Sequence, residues 1–354
     1  MSKNEINIST GLNCPIPKSD YENVLLAHGG GGTLTHQLLD KMFFPNFSND
    51  ILNVHHDSAI LNINNSRIAF TTDSYVVNPI FFPGGNIGDL AVYGTINDLA
   101  VAGAKPLYIS VSFIIEEGLP MDDLWQIVLS IKSASIRAGV QIVTGDTKVV
   151  DKGKGDKIFI NTSGIGLISE GINISPQNCK PGDLILLNGS IAEHGITIMS
   201  SREGLEFDTE IKSDTAPLNS LIAEMLDTSK NIHVMRDPTR GGIASTLNEI
   251  ASSSNFGIQI YEDKIPIEEE VLGACEILGL DPLYIANEGK LLAFVDKNDA
   301  QKVLDAMRKN EFGKRSQIIG EVTENNPGTV VMKTSIGSNR IVDMISGEQL
   351  PRIC

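Results

Sequence analysis

The run Leu90-Ala91-Val92-Tyr93-Gly94-Thr95-Ile96-Asn97-Asp98-Leu99-Ala100-Val101-Ala102-Gly103-Ala104 is the most apolar stretch of the chain. Its small and apolar residues predict a helix from Ile87 to Gly103. The run is too short for a bilayer and is broken by Asn97 and Asp98, so it predicts no membrane span. A carboxylate set mid-helix between Ile96 and Leu99 is expensive to bury unless something neutralises it. A divalent cation would do so: Mg²⁺ takes a few carboxylate oxygens and completes its shell with water and substrate phosphate.

The elements around this helix alternate. Strands are predicted at His55–Ile63 and Arg67–Thr72, joined by the turn Asn64-Asn65, then at Leu107–Ile115, Val140–Thr144 and Lys157–Ile168. A second helix follows Pro120, with Asp122 and Asp123 in its first turn and Leu124, Ile127, Val128, Ile131 and Ala134 on one face. The segment Ile174-Ser175-Pro176-Gln177-Asn178-Cys179-Lys180-Pro181-Gly182-Asp183 reads as a domain junction. Beyond it come strands at 184–187, 233–235, 257–261, 291–295, 318–322 and 329–332, and helices at 216–226, 242–253 and 299–308. The fold class is α+β, with two α/β-type domains. The boundaries are a 1–50 arm with a Gly-rich loop, a 51–172 first domain, a 173–334 second domain, and a 335–354 tail expected to be mobile.

The 354 residues carry a formal net charge of -16, which leaves no electrostatic footprint for nucleic acid or an anionic membrane. Such a chain must recruit cations wherever it binds phosphate. Four aspartates recur beside Gly, Ser or Thr at apolar elements: Asp57, Asp73, Asp98 and Asp146. Each alone reads as a turn or cap residue; together in one domain they point to a metal–phosphate site. Lys148, after Gly145-Asp146-Thr147, is placed to meet a phosphoryl group, although no GxxxxGK[ST] motif occurs. Gly29 to Gly32 reads either as an anion cradle or as a lid. Met235-Arg236-Asp237-Pro238-Thr239-Arg240-Gly241-Gly242 joins a strand to a helix start, where exposed N–H groups and two arginines suit an anion. Glu288, in Ala286-Asn287-Glu288-Gly289-Lys290, is a candidate general base, and a solvated turn is its plainer reading.

The four cysteines, Cys14, Cys179, Cys275 and Cys354, show neither zinc spacing nor a disulfide framework. With no apolar signal segment, a cytoplasmic protein with reduced thiols is expected. Cys354 ends the sequence after Pro351-Arg352-Ile353, where a thiol could swing between sites.

Together His28 to Gly32, the Asp57 and Asp73 strands, Phe81-Phe82-Pro83-Gly84-Gly85, Gly94 to Ala100, Gly145 to Val150, Arg236 to Gly242, Ala286 to Lys290 and the Pro351-Arg352-Ile353-Cys354 end resemble the HypE family of [NiFe]-hydrogenase maturation proteins. The resemblance runs from about residue 24 to the end. More distantly the aspartate pattern is similar to aminoimidazole ribonucleotide synthetase and selenophosphate synthetase. The resemblance implies that fold, with a homodimer whose first-domain sheets pair. It also implies ATP and Mg²⁺, and the ATP-dependent dehydration of a carbamoyl group on Cys354 to a thiocyanate. A carbamoyltransferase would load the thiol, and an iron-carrying scaffold complex would accept the cyanide. It implies Cys354, Glu288, Lys148 and Arg352 as catalytic residues. Asn97, Asp73, Asp98, Gly145, Asp146, Thr147, Lys148 and Arg236 would hold ATP, and Asp57, Asp73, Asp98, Asp146 and Asp237 the metal. The rivals are an ATP-dependent synthetase of the same fold acting on a free small molecule, and a non-catalytic scaffold carrying iron on Cys354.

Overall fold

The computed structural model describes Tyr21, residues 23–204, residues 211–345 and residues 353–354. The chain enters through α1 (Thr33–Leu38), a π-helical turn (Leu39–Phe43) and α2 (Phe44–Phe47). The first domain then runs β1 (Ala59–Ile63), β2 (Ser66–Tyr75), β3 (Phe81–Phe82), β4 (Gly85–Asn86), α3 (Ile87–Val101), β5 (Ala104–Glu116), α4 (Met121–Ala138), β6 (Gln141–Val150) and β7 (Ile158–Ile168). Its main sheet has the order β1-β2-β7-β5-β6, antiparallel except for the parallel β5–β6 pair. On β7 the even-numbered residues are buried while Ile165 and Leu167 are exposed, the period-two signature of a sheet with one face packed. Helices α3 and α4 cover that packed face.

Helix α3 is buried almost all round, which is why its sequence shows no polar stripe. It starts at a capping box in which Asn86 Oδ1 accepts from Gly88 N and Asp89 Oδ2 accepts from Asn86 N. Gly94 is required by packing, since a Cβ there would stand 2.3 Å from the Tyr75 hydroxyl.

The second domain contains β8 (Leu184–Leu187), α5 (Glu193–Glu203), α6 (Asn219–Thr228), β9 (Ile232–Arg236), α7 (Gly242–Ser254), β10 (Gly257–Tyr261), α8 (Glu269–Leu278), β11 (Leu292–Val295), α9 (Ala300–Met307), β12 (Gln317–Thr323), β13 (Val330–Lys333) and β14 (Asn339–Val342). Its sheet is ordered β14-β13-β10-β12-β8-β11-β9. Residues of α5, α7 and α8 share one core with this sheet, and those of α6 and α9 share another. The second core also takes in Leu99 to Ala102 from the end of α3, so the domains are joined through apolar packing.

Helices α5 and α8 stand where the sequence predicts no element. Helix α5 opens at Ala192 in the left-handed region (φ 72°) without a side-chain cap, and its residues are buried on most sides, so neither a cap nor a stripe announces it. The expected tail boundary at 335 is also corrected: β14 pairs with β13, and Val342 and Ile345 are buried.

Candidate active site

Where the two domains meet, β2, α3 and the turn after β9 bring carboxylates together. Asp57, just before β1, is ion-paired through Oδ1 to Arg236 Nε at 2.7 Å, while its Oδ2 has no hydrogen-bond partner. Thr71 Oγ1 on β2 lies 2.9 Å from both the Asp57 carbonyl and Asp98 Oδ2. Burial, then repulsion from Asp237, Asp57 and Asp73, raises the Asp98 carboxyl well above the usual carboxylate range. The same causes, burial first and Asp57 next, push Asp237 up to about 7. Burial raises Asp57 too, against the pull of Arg236.

Asp57, Asp73, Asp98 and Asp237 thus lie within one another's electrostatic reach. Among the described residues no three carboxylate, imidazole or thiol groups are drawn together as a ready metal shell. The donor set nonetheless suits a hard divalent cation, because such an ion would take up the orphaned Asp57 oxygen and relieve the mutual repulsion.

Several predicted site residues are placed differently. Arg236 is committed to acids: beyond Asp57, its Nη2 meets Glu249 Oε2 at 2.8 Å, and Glu249 Oε1 meets His36 Nε2 of α1 at 3.3 Å. Asn97, expected at the ATP site, is engaged as an interdomain clasp. Its Nδ2 donates to the Ala216 carbonyl (3.0 Å) and the Glu288 carbonyl (3.3 Å), and its Oδ1 accepts from Leu218 N (2.8 Å). Asp146 and Lys148 stand on the exposed edge strand β6, ion-paired to each other at 2.7 Å and apart from the acidic cluster. Thr147 shares that strand. Gly145 is required there, since a Cβ would come within 2.0 Å of the Val111 carbonyl oxygen. Gly145, Asp146 and Thr147 border a groove of about 620 Å³ between β5, β6 and α4. Arg352 lies outside the described residues.

Glu288 is buried, not a solvated turn. Its N–H and that of Gly289 donate to Asp214 at 3.2 and 3.4 Å, and Asp214 is ion-paired to Lys290, which also holds Glu193. The neighbouring Asn287 donates to the Pro238 and Ile285 carbonyls and accepts from Ala192 N, which pins the segment to α5. Burial, then Asp214, Asp73 and Asp237, raises the Glu288 carboxyl well above its usual range, with Arg240 opposing.

Against Glu288 sits Cys354. Ile353 is almost wholly buried among Phe82, Ile198 and Ala286, and Val76 N donates to the Cys354 backbone oxygen at 3.0 Å. Burial, opposed by Arg240 and reinforced by the Glu288 and Asp73 carboxylates, pushes the Cys354 thiol up to about 12. Arg240 reaches back to the Gly-rich loop, donating from Nη1 to the Gly29 carbonyl at 2.9 Å. Gly31 there has φ +74° and leaves no room for a Cβ beside Arg240.

Sequence reasoning missed His194 and Asp214. His194 lies in the unforeseen α5, with Nε2 2.7 Å from the Ile353 carbonyl and Nδ1 2.8 Å from Ser213 Oγ. No local motif marks either residue.

Comparison with known proteins places this geometry. Residues 55–168 match the N-terminal domain of the AIR synthase related proteins, and residues 180–333 match their C-terminal domain. The chain is 53% identical over 330 residues to the carbamoyl dehydratase HypE of Rhizobium leguminosarum bv. viciae, covering 93% of this chain and 94% of that protein. Solved structures similar to it include a HypE–HypF complex, with a TM-score of 0.83 at 50% identity over 87% of this chain and 99% of that one. Another is a hydrogenase maturation protein HypE in complex with ATP, with a TM-score of 0.80 at 46% identity over 94% of this chain and 100% of that one.

Proposed function

Because the chain belongs to the HypE family within the AIR synthase related proteins, we propose that it dehydrates, with ATP, a carbamoyl group carried on its own Cys354. The observation that carries this reading is the docking of residues 353–354 by His194 and Val76, with the Cys354 thiol within electrostatic reach of Glu288, Arg240 and Asp73.

The reaction is balanced as follows. The oxygen of the S-carbamoyl group attacks the γ-phosphorus of ATP; the P–O bond to ADP breaks, and one N–H proton leaves. The C–O bond then breaks, releasing phosphate, while the second N–H proton leaves and the C≡N bond forms. Glu288 takes the amide protons, its raised proton affinity making it a stronger base than an ordinary carboxylate. Arg240 faces the sulfur and supplies positive charge there. Asn97 and Asp214 hold the Glu288 backbone in place. Asp57, Asp73, Asp98 and Asp237 would hold Mg²⁺, which when bound neutralises phosphate charge.

The proposed partners are the carbamoyltransferase HypF, with which a relative has been crystallised, an iron-carrying scaffold that accepts the cyanide, and a second copy of the chain. The open face of the first sheet, with Phe70, Tyr108, Ile114, Ile165 and Leu167 exposed, supports the homodimer. In such a dimer Asp146 and Lys148, on the edge strand, would be delivered at the interface. A cytoplasmic location follows the same reading, since loading needs Cys354 reduced. Among the described residues no helix is long and apolar enough to cross a membrane.

The test is mass spectrometry of the peptide bearing Cys354 after incubation with HypF, carbamoyl phosphate and MgATP. Its mass is expected to rise by one carbamoyl group and then fall by one water. An adduct that persists unchanged with MgATP present sinks the reading.

A further inference from the structure

We propose that His194 is a positioning residue for residues 353–354, a latch that sets the share of molecules whose thiol is docked in the site instead of open to a loading partner. The proposal deepens the functional reading above and rests on it for the consequence to turnover, while the docking itself stands on geometry.

His194 is wholly buried, at the edge of the Phe82 ring with centroids 5.5 Å apart. Its hydrogen bonds fix its protonation. The Ile353 carbonyl 2.7 Å from Nε2 is an acceptor only, so Nε2 carries the proton; burial keeps the ring neutral, so Nδ1 is bare and accepts from Ser213 Oγ. Ser213 is itself held, its N–H donating to the Pro83 carbonyl at 2.9 Å. The ring is thus aimed from β3–β4 and the 213–215 segment before the tail arrives. Without the tail, Nε2–H would be a buried donor lacking this acceptor, which costs more than the bond itself contributes.

The remaining contacts read the same two residues. Gly195 follows His194, and a Cβ there would stand 3.3 Å from Ile353 Cδ1 and 2.4 Å from Ile285 Cγ2, so its bareness makes the seat for the Ile353 side chain. Val76 N donates to the next backbone oxygen, at Cys354. Two successive backbone oxygens and one apolar side chain are therefore gripped, which holds the Cys354 thiol within electrostatic reach of Glu288 and Arg240. A docked thiol pushed up to about 12 makes a poor nucleophile. Loading therefore calls for the undocked state and dehydration for the docked one, and the latch divides the chain's time between them.

The experiment measures alkylation of Cys354 by iodoacetamide in the full chain, read in the peptide that bears it. Wild type is expected to react more slowly than a free Pro-Arg-Ile-Cys peptide. His194→Ala should raise its rate about three- to tenfold, the worth of one hydrogen bond, and Ile353→Ala by at least as much. His194→Gln, which restores a donor, should return the rate toward wild type. If the alanine variant does not fold, His194→Leu, which fills the space without a donor, is compared with His194→Gln. Wild type reacting as fast as the free peptide overturns the docking, and a donor-less variant protected like wild type overturns the latch. In chains already carbamoylated, ATP-driven dehydration should slow in the donor-less variant by less than the factor alkylation rises, because the docked share falls less than the open share rises while docking predominates. Loading by HypF should not slow. Protection that follows this order without any dehydration leaves the latch standing and removes the functional reading instead.

Discussion

Glu288 shows how far one side chain's surroundings determine its chemistry. Its proton affinity is raised by burial first and by Asp214, Asp73 and Asp237 next, and lowered by Arg240. A base must be ionised to accept a proton, so dehydration should accelerate as pH rises through this raised value, with the acid limb above the ordinary carboxylate range. Arg240→Met removes the opposing cation and should move that limb to higher pH in single-turnover measurements on the loaded chain. A limb that stays put would exclude Glu288 as the titrating group. Glu288→Gln should slow dehydration by about 10²–10⁴-fold with ATP still bound; an unchanged rate removes Glu288 from the mechanism. Glu288 was legible in the sequence because a polar knot between apolar segments is conspicuous, although its burial was not. His194 and Asp214 were not legible, because each acts through a partner more than fifty residues away in the chain (Ile353 and Glu288), and no spacing rule reaches that far.

At the scale of elements, α3 carries the tension between folding and function. Its Gly94 packs against the Tyr75 hydroxyl. An exposed helix would gain about 1 kcal/mol from Gly→Ala, but Gly94→Ala should lose roughly 1–3 kcal/mol through overpacking, as denaturant unfolding would measure. A gain would show that the helix is not held against β2 as described. Asp98, one turn on, has a folded-state proton affinity above its unfolded one, so its ionised form disfavours the fold. The penalty is absent below the unfolded value near pH 3.9, grows as pH rises toward the folded value and then levels. Metal-free Asp98→Asn should therefore be more stable than wild type at pH 8, equal near pH 3, and inactive with MgATP. A variant less stable at pH 8 would refute the like-charge account. Helices with one apolar stripe, such as α4, were readable from spacing, and so was the Asp98 anomaly. Helices α5 and α8 were not: α5 is buried on most sides and uncapped, so its place is decided by tertiary packing.

At the scale of the molecule, the two-domain division was legible from the prolines and glycine of the 174–183 junction, whereas the shared core was not. Leu99 to Ala102 pack with Leu218, Leu221 and Ile222, a union that sequence order conceals. The first sheet raises the remaining question, because one face is packed by α3 and α4 and the other exposes Phe70, Tyr108, Ile114, Ile165 and Leu167. Strand β6 adds an unpaired edge, with Ile142, Val143 and Val149 exposed. An apolar face beside an open edge is a liability that a stable partner removes, and a second copy satisfies both at once. The chain should therefore sediment at twice its 38.2 kDa mass. Ile165→Asp with Leu167→Asp, at positions exposed within one chain, should leave each chain folded and give the single mass. If Asp146 and Lys148 serve the site only across the pair, this monomer should lose dehydration and keep the protection of Cys354 from alkylation, since His194, Gly195 and Val76 all belong to the same chain as the tail they hold. A wild type at the single mass with full turnover would confine the reaction to one chain and leave the exposed pair Asp146–Lys148 without a part in it.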